Sequence, residues 1–128
     1  MSHSTTVLIG RILLALIFIM AGLGKIGDPA NNAAYFESLG LPMAAVMVWL
    51  VVAFEVLAGI AILIGFMTRP AAYLLALFCI ASALLAHFDF GDQIQMIMFL
   101  KNLAIAGGFL VLAANGPGSI SLDAKRAG

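Results

Sequence analysis

Glu55 sits near the middle of a long apolar run, residues 43–64, which reads MAAVMVWLVVAFEVLAGIAILI. As a helix rising ~1.5 Å per residue, the run is ~33 Å long and crosses the hydrocarbon of a bilayer. A carboxylate at that depth is costly unless it is neutral, paired or facing water. Glu55 therefore marks either a structural ion pair or a polar site. The side chains able to stand with it are Arg11, Lys25, His87, Lys101 and Asn102. Lysine and arginine neutralise charge, histidine offers a proton-handling ring, and asparagine a neutral hydrogen-bonding amide.

Helical rise gives the depths. Glu55 lies ~18 Å below the outer end of its helix and ~14 Å above the inner end. Lys101 lies ~10 Å below the outer end of its own helix, and Arg11 ~9 Å above the inner end. Arg11 is placed either to snorkel to the head groups or to bridge to another helix. An extended side chain adds several ångströms, so either Arg11 or Lys101 can reach Glu55, and the sequence does not decide which. Lys25 follows Arg11 by about four helical turns and falls on nearly the same face. Gly59, at i+4 from Glu55, leaves room for a neighbouring helix or a small ligand.

Two readings follow from these positions. In one, Arg11, Glu55 and Lys101 are packing ties between helices. In the other, Lys25, Glu55, His87 and Lys101, with the adjacent Asn102, line a pocket open toward the outside that holds a small polar or quinone-like molecule.

Other chemistry is sparse. His87, Asp89 and Asp92 carry metal-ligating atoms, but their spacing matches no metal template, and no metal site is expected. The single cysteine, Cys79, excludes an intrachain disulfide and reads as a small buried or lipid-facing hydrophobe. Ser82 is expected to bond back to its own helix.

The elements that position these residues are written in the composition. Apolar residues make up 64% of the 128-residue chain and charged ones 9%. A soluble domain runs at roughly 45–50% and about 25%. Apolar stretches at 5–24, 43–64, 70–86 and 94–114 predict an all-α integral membrane protein, a four-helix bundle forming one domain over 1–128. The first stretch is longer than a signal-peptide core and contains Arg11, so it reads as a retained helix. The linker at 27–42 predicts a short helical or loop element across one mouth of the bundle. Its Asp28-Pro29 pair is a turn signal, and Pro70 is expected to open the third span.

Six basic and six acidic residues cancel, and no basic cluster invites nucleic acid. Arg11, Arg69, Lys125 and Arg126 fall at the end shared by the termini. The opposite loops carry Lys25 with Asp28, Glu37, Asp89 and Asp92. The positive-inside rule then predicts both termini in the cytoplasm.

The chain resembles the DoxX family of small four-span bacterial inner-membrane proteins. The resemblance rests on Arg11 with the run ending at Lys25, YFESLGLP at 35–42, and Glu55 with its following glycine. GFMTRPAA at 65–72, His87, FLKNLAIAGGFLVLAA at 99–114 and GPGSISLD at 116–123 complete it. It is closest to the branch whose tails end in GPG, a few residues, then SLD. The resemblance implies four helices, cytoplasmic termini and a short element after the first span. It also implies a link to redox or thiol metabolism, since the family name comes from a membrane subunit of a thiosulfate:quinone oxidoreductase.

This chain has no paired cysteines, dinucleotide fingerprint or second in-span histidine for haem. The resemblance therefore implies a quinone- or small-molecule-binding component, or the partner of a redox subunit, in the membrane lipid. A small-molecule transporter, a homo-oligomer and an architectural assembly protein are the alternatives.

Overall fold

The computed structural model describes residues 1–127. Four helices are long and apolar enough to span a membrane: α1 (His3–Gly27), α3 (Ala44–Ile64), α4 (Thr68–Ala86) and α5 (Gln93–Asn115). Two shorter helices, α2 (Pro29–Ser38) and α6 (Leu122–Ala127), lie outside the spans. The chain is an all-α, four-span membrane bundle.

The helix ends follow local chemistry, with two exceptions. Ser2 caps α1, its hydroxyl accepting the Thr5 N–H at 3.1 Å. Asp28 closes α1 and opens α2: its N–H donates to the Lys25 carbonyl, and its carboxylate accepts the Asn31 N–H. Pro29 then occupies the first turn of α2, where a missing N–H costs nothing. The Asp-Pro pair thus starts a helix as well as ending one. Asp92 caps α5 through the Ile94 N–H at 2.9 Å. Gly65, at φ 71°, ends α3 with paired bonds from Gly65 and Phe66 back to Ile62 and Ala61.

The exceptions are α3 and α4, each preceded by a methionine in the left-handed region, Met43 and Met67, with no side-chain cap of its own. Helix α4 begins at Thr68, so Pro70 is its third residue and not its first. The missing cap of α4 comes from the tail, as described below.

Lateral packing divides the bundle into two tight pairs, α1 with α3 and α4 with α5. Glycine brings α1 against α3: a Cβ on Gly22 would stand 2.5 Å from Val56 Cγ2, and one on Gly59 2.9 Å from Ile19 Cγ1. The pairs meet through a core that includes Ala15, Phe18, Ile62, Leu75 and Phe109. Phe18 packs edge-on to Phe109, with ring centroids 5.6 Å apart. At the α2 end the pairs are less closely joined. There Phe36 of α2 packs on Val48 and Val52 of α3 in a separate small cluster. Large apolar side chains such as Leu13, Leu57, Leu77 and Val111 point outward, as lipid permits.

The segment after Asn115 does not simply leave the bundle. It folds under the ends of the spans, where Ser4 and Ser119 hydroxyls meet and His3 Nε2 lies 3.3 Å from Asn115 Oδ1. The Asp123 N–H donates to the Gly65 carbonyl at 2.8 Å. Its carboxylate accepts the N–H groups of Met67 and Thr68 at 2.8 and 2.9 Å.

Candidate functional site

Side chains on a helix lean toward its N-terminus, and that lean sorts the cations of this bundle. Lys25 lies near the C-terminal end of α1, so its chain runs back down the helix. It passes the level of Gly22, where a Cβ would lie 3.5 Å from Glu55 Cβ. Its Nζ reaches Glu55 Oε1 at 2.7 Å. Glu55 is 4% exposed, so this is a desolvated, charge-assisted contact.

Both candidate cations, Lys101 and Arg11, are engaged elsewhere. Lys101 leans toward the start of α5, is exposed, and has Nζ 3.3 Å from Met98 Sδ. Arg11 neither snorkels outward nor pairs with a carboxylate. It is 1% exposed, and its Nη2 donates to the Ile120 carbonyl at 2.7 Å. The tail supplies that acceptor by folding beneath α1, an arrangement that the spacing of charges along the spans does not reveal.

Around the Lys25–Glu55 pair lies a cavity of about 300 Å³ at the α2 end, between the two helix pairs. One wall comes from α1, α2 and α3, with Phe18, Tyr35 and Phe36 among its residues. The other comes from α4 and α5, with Phe78, Cys79 and Ser82. Of the expected residues, Lys25, Glu55, His87 and Asn102 all line it, and Lys101 does not. His87 Nδ1 is 2.9 Å from Gln95 Oε1, which fixes the ring and leaves Nε2 for another partner.

Tyr35, Ser82 and Cys79 are cavity residues that the sequence did not single out. Ser82 and Cys79 each had an adequate local explanation, as a self-bonded hydroxyl and a small hydrophobe, and Tyr35 lies in the linker between the first two spans. A period count from Cys79 and Ser82 to Ala86 would have placed them on one face, but nothing in it says which face meets Glu55. Among the described residues, no three His, Cys, Asp or Glu side chains converge as a metal site.

The cavity combines apolar and aromatic walls with an ion pair and several neutral hydrogen-bonding groups. That is the composition of a site for a small molecule with a planar or apolar body and polar edges.

The comparisons with known proteins agree with this architecture. The DoxX family profile matches residues 6–88, and the chain belongs to the DoxX family. The chain is 45% identical to inner membrane protein YqjF of Escherichia coli K12, over 91% of this chain and 88% of that protein. It is 42% identical to inner membrane protein YphA of the same organism, over 92% of this chain and 88% of that one. No solved structure matches. The protein is a multi-pass inner-membrane member of the family.

Proposed function

We propose that the protein binds a small amphipathic molecule with a quinone-like head in the Lys25–Glu55 cavity, as a membrane component of an oxidoreductase system. The observation that carries this reading is the convergence of Lys25, Glu55, Ser82, His87 and Asn102 on one aromatic-walled cavity. A quinone head fits such a space. Its flat ring matches the Phe18, Phe36 and Phe78 walls, and its carbonyl oxygens need donors, which Lys25, Ser82, His87 and Asn102 supply. When bound, a quinone supplies two-electron redox chemistry. The chain's own residues orient the head, exclude water and hold protons near it. Electrons would come from a partner subunit.

The distribution of charge supports an outward-facing cavity. Arg11, Arg69, Lys125 and Arg126 lie at the end shared by the termini, whereas Asp28, Glu37, Asp89 and Asp92 lie at the cavity end. We infer cytoplasmic termini on that basis. We read the tail pattern GPGSISLD, whose Asp123 caps α4, as the mark of a branch within the family.

The test is native mass spectrometry of mildly extracted protein, with organic extraction of any retained molecule, followed by titration with a short-chain benzoquinone. Binding should weaken in Lys25→Met and persist in Lys101→Met. Lipid-only protein that does not take up the benzoquinone would leave the Lys25–Glu55 pair as an architectural tie. Uptake of another solute into vesicles would favour a transporter.

A further inference from the structure

At the opposite end of the bundle from the cavity, α1 and α5 diverge and leave a second groove of about 280 Å³. Val7, Gly10 and Leu14 form one side, and Gly108, Val111 and Asn115 the other. A Cβ on Gly10 would meet nothing within 4 Å, so the missing side chain widens the groove instead of serving helix contact. The groove faces lipid, and its walls are apolar over most of their length.

Its charged end is unusual. Arg11 lines the groove, is 1% exposed, and has only the neutral Ile120 carbonyl as acceptor. Its Nε and Nη1 have no partner. Beside Asn115, Arg69 lies over Gly116, where a Cβ would stand 2.9 Å from Arg69 Nη2. Arg69 is exposed and in no ion pair among the described residues. Asp123 is the carboxylate whose charge reaches Arg11, and it is committed to the N–H groups of Met67 and Thr68. The apolar trough thus ends at Asn115, next to the exposed Arg69 at Gly116, with the Arg11 guanidinium buried behind it against Gly65 and Ser121; neither arginine has a carboxylate ligand. That end is where α1 begins and α5 ends, so by the span limits it falls where the helices would meet the head groups.

We propose that the α1–α5 groove is a specific site for one anionic phospholipid. An acyl chain lies along Val7, Gly10, Leu14 and Val111. The phosphate sits at the mouth beside Arg69, next to Asn115, whose amide is held by the Gly116 carbonyl and His3, and within the field of buried Arg11. The apolar groove alone would take any phospholipid, since acyl chains are common to all. Selectivity for anionic head groups comes from the arginines, as basic pockets between spans achieve it. The site is independent of the Lys25–Glu55 cavity, and its test does not depend on what that cavity holds.

Native mass spectrometry of the full chain, delipidated and titrated with phosphatidylglycerol or phosphatidylcholine of identical acyl chains, decides the matter. Phosphatidylglycerol should be retained roughly tenfold better. Arg69→Gln should remove most of that preference, and Gly10→Leu should lower retention of both lipids by filling the groove. Lys125→Gln, on the exposed face of α6, should leave the preference intact. Equal retention of the two lipids would overturn the proposal. So would full retention by Gly10→Leu, an unchanged preference in Arg69→Gln, or an equal loss in Lys125→Gln, which would indicate a diffuse basic surface.

Discussion

Asp123 caps a helix that begins 55 residues before it, accepting the Thr68 N–H at 2.9 Å. Met67, in the cap position, has no side-chain oxygen to offer, and the first N–H groups of α4 would otherwise lack partners. The tail is therefore part of the bundle. Arg126 over the Phe66 ring, at 5.2 Å, adds a second attachment to the same turn.

Removing the cap should be measurable. Asp123→Ala should lower stability in detergent by about 1 kcal/mol, the usual worth of an N-cap. Asp123→Asn, which keeps an acceptor oxygen, should lose less. Thermal unfolding followed by circular dichroism reads both. Equal unfolding temperatures for wild type and Asp123→Ala would mean that the tail contributes nothing to α4.

The same carboxylate should make stability depend on pH. Burial alone would push the Asp123 carboxyl up. Hydrogen bonds from Thr68 and Met67, with the charge of Arg126, outweigh burial and hold it below its ordinary value. A depressed carboxyl contributes stability that is complete above the unfolded-state value of about 3.9 and is lost as pH falls through the folded-state value. Wild type should therefore lose stability more steeply than Asp123→Asn as pH falls below about 4. Parallel pH profiles would exclude the linkage.

The pairing of Lys25 with Glu55 makes a sharper distinction. Lys25→Met leaves a buried carboxylate without its cation and should cost about 3 kcal/mol. Lys101→Met, at an exposed position bonded only to the Met98 sulfur, should change stability by less than about 0.5 kcal/mol. Replacing both partners, as Lys25→Met with Glu55→Leu, should recover much of the loss, because apolar groups suit that interior. Urea-driven unfolding in mixed micelles would rank the three variants. A larger loss in Lys101→Met than in Lys25→Met would contradict the geometry.

The spans were legible because their signal is composition summed over about twenty residues, and lipid demands it. Lys25, Glu55, His87 and Asn102 were legible as polar residues in or beside those spans, each needing an inward position. The partner of Glu55 was not legible. Depth along a straight helix makes Arg11 and Lys101 equal candidates, whereas the outcome depends on the direction in which each side chain leans. Lys25 leans into the bundle toward Glu55, and Lys101 leans toward Met98 on the surface. The role of Asp123 was hidden for another reason. A cap supplied from 55 residues away leaves no local pattern beyond the absence of a capping residue at Met67.

The closeness of α1 to α3 underlies the site and yields the last prediction. The Lys25 contact requires the helices to approach at Gly22, where a Cβ would also lie 3.5 Å from the Val52 carbonyl oxygen. Val56 is β-branched and stiff, so it cannot easily yield to a methyl at Gly22. At Gly59 a methyl would crowd Ile19 Cγ1 and come within 3.4 Å of the Ala15 carbonyl oxygen. Gly22→Ala and Gly59→Ala should each cost about 1–3 kcal/mol as overpacking, despite alanine's better helix propensity. Gly107→Ala, where a Cβ meets nothing within 4 Å, should be neutral or gain up to about 1 kcal/mol from that propensity. The two costly variants should also widen the cavity mouth and weaken benzoquinone binding, while Gly107→Ala should bind as wild type does. If all three behaved alike, helix propensity alone would be setting stability, and the α1–α3 contact would not be what holds Lys25 on Glu55.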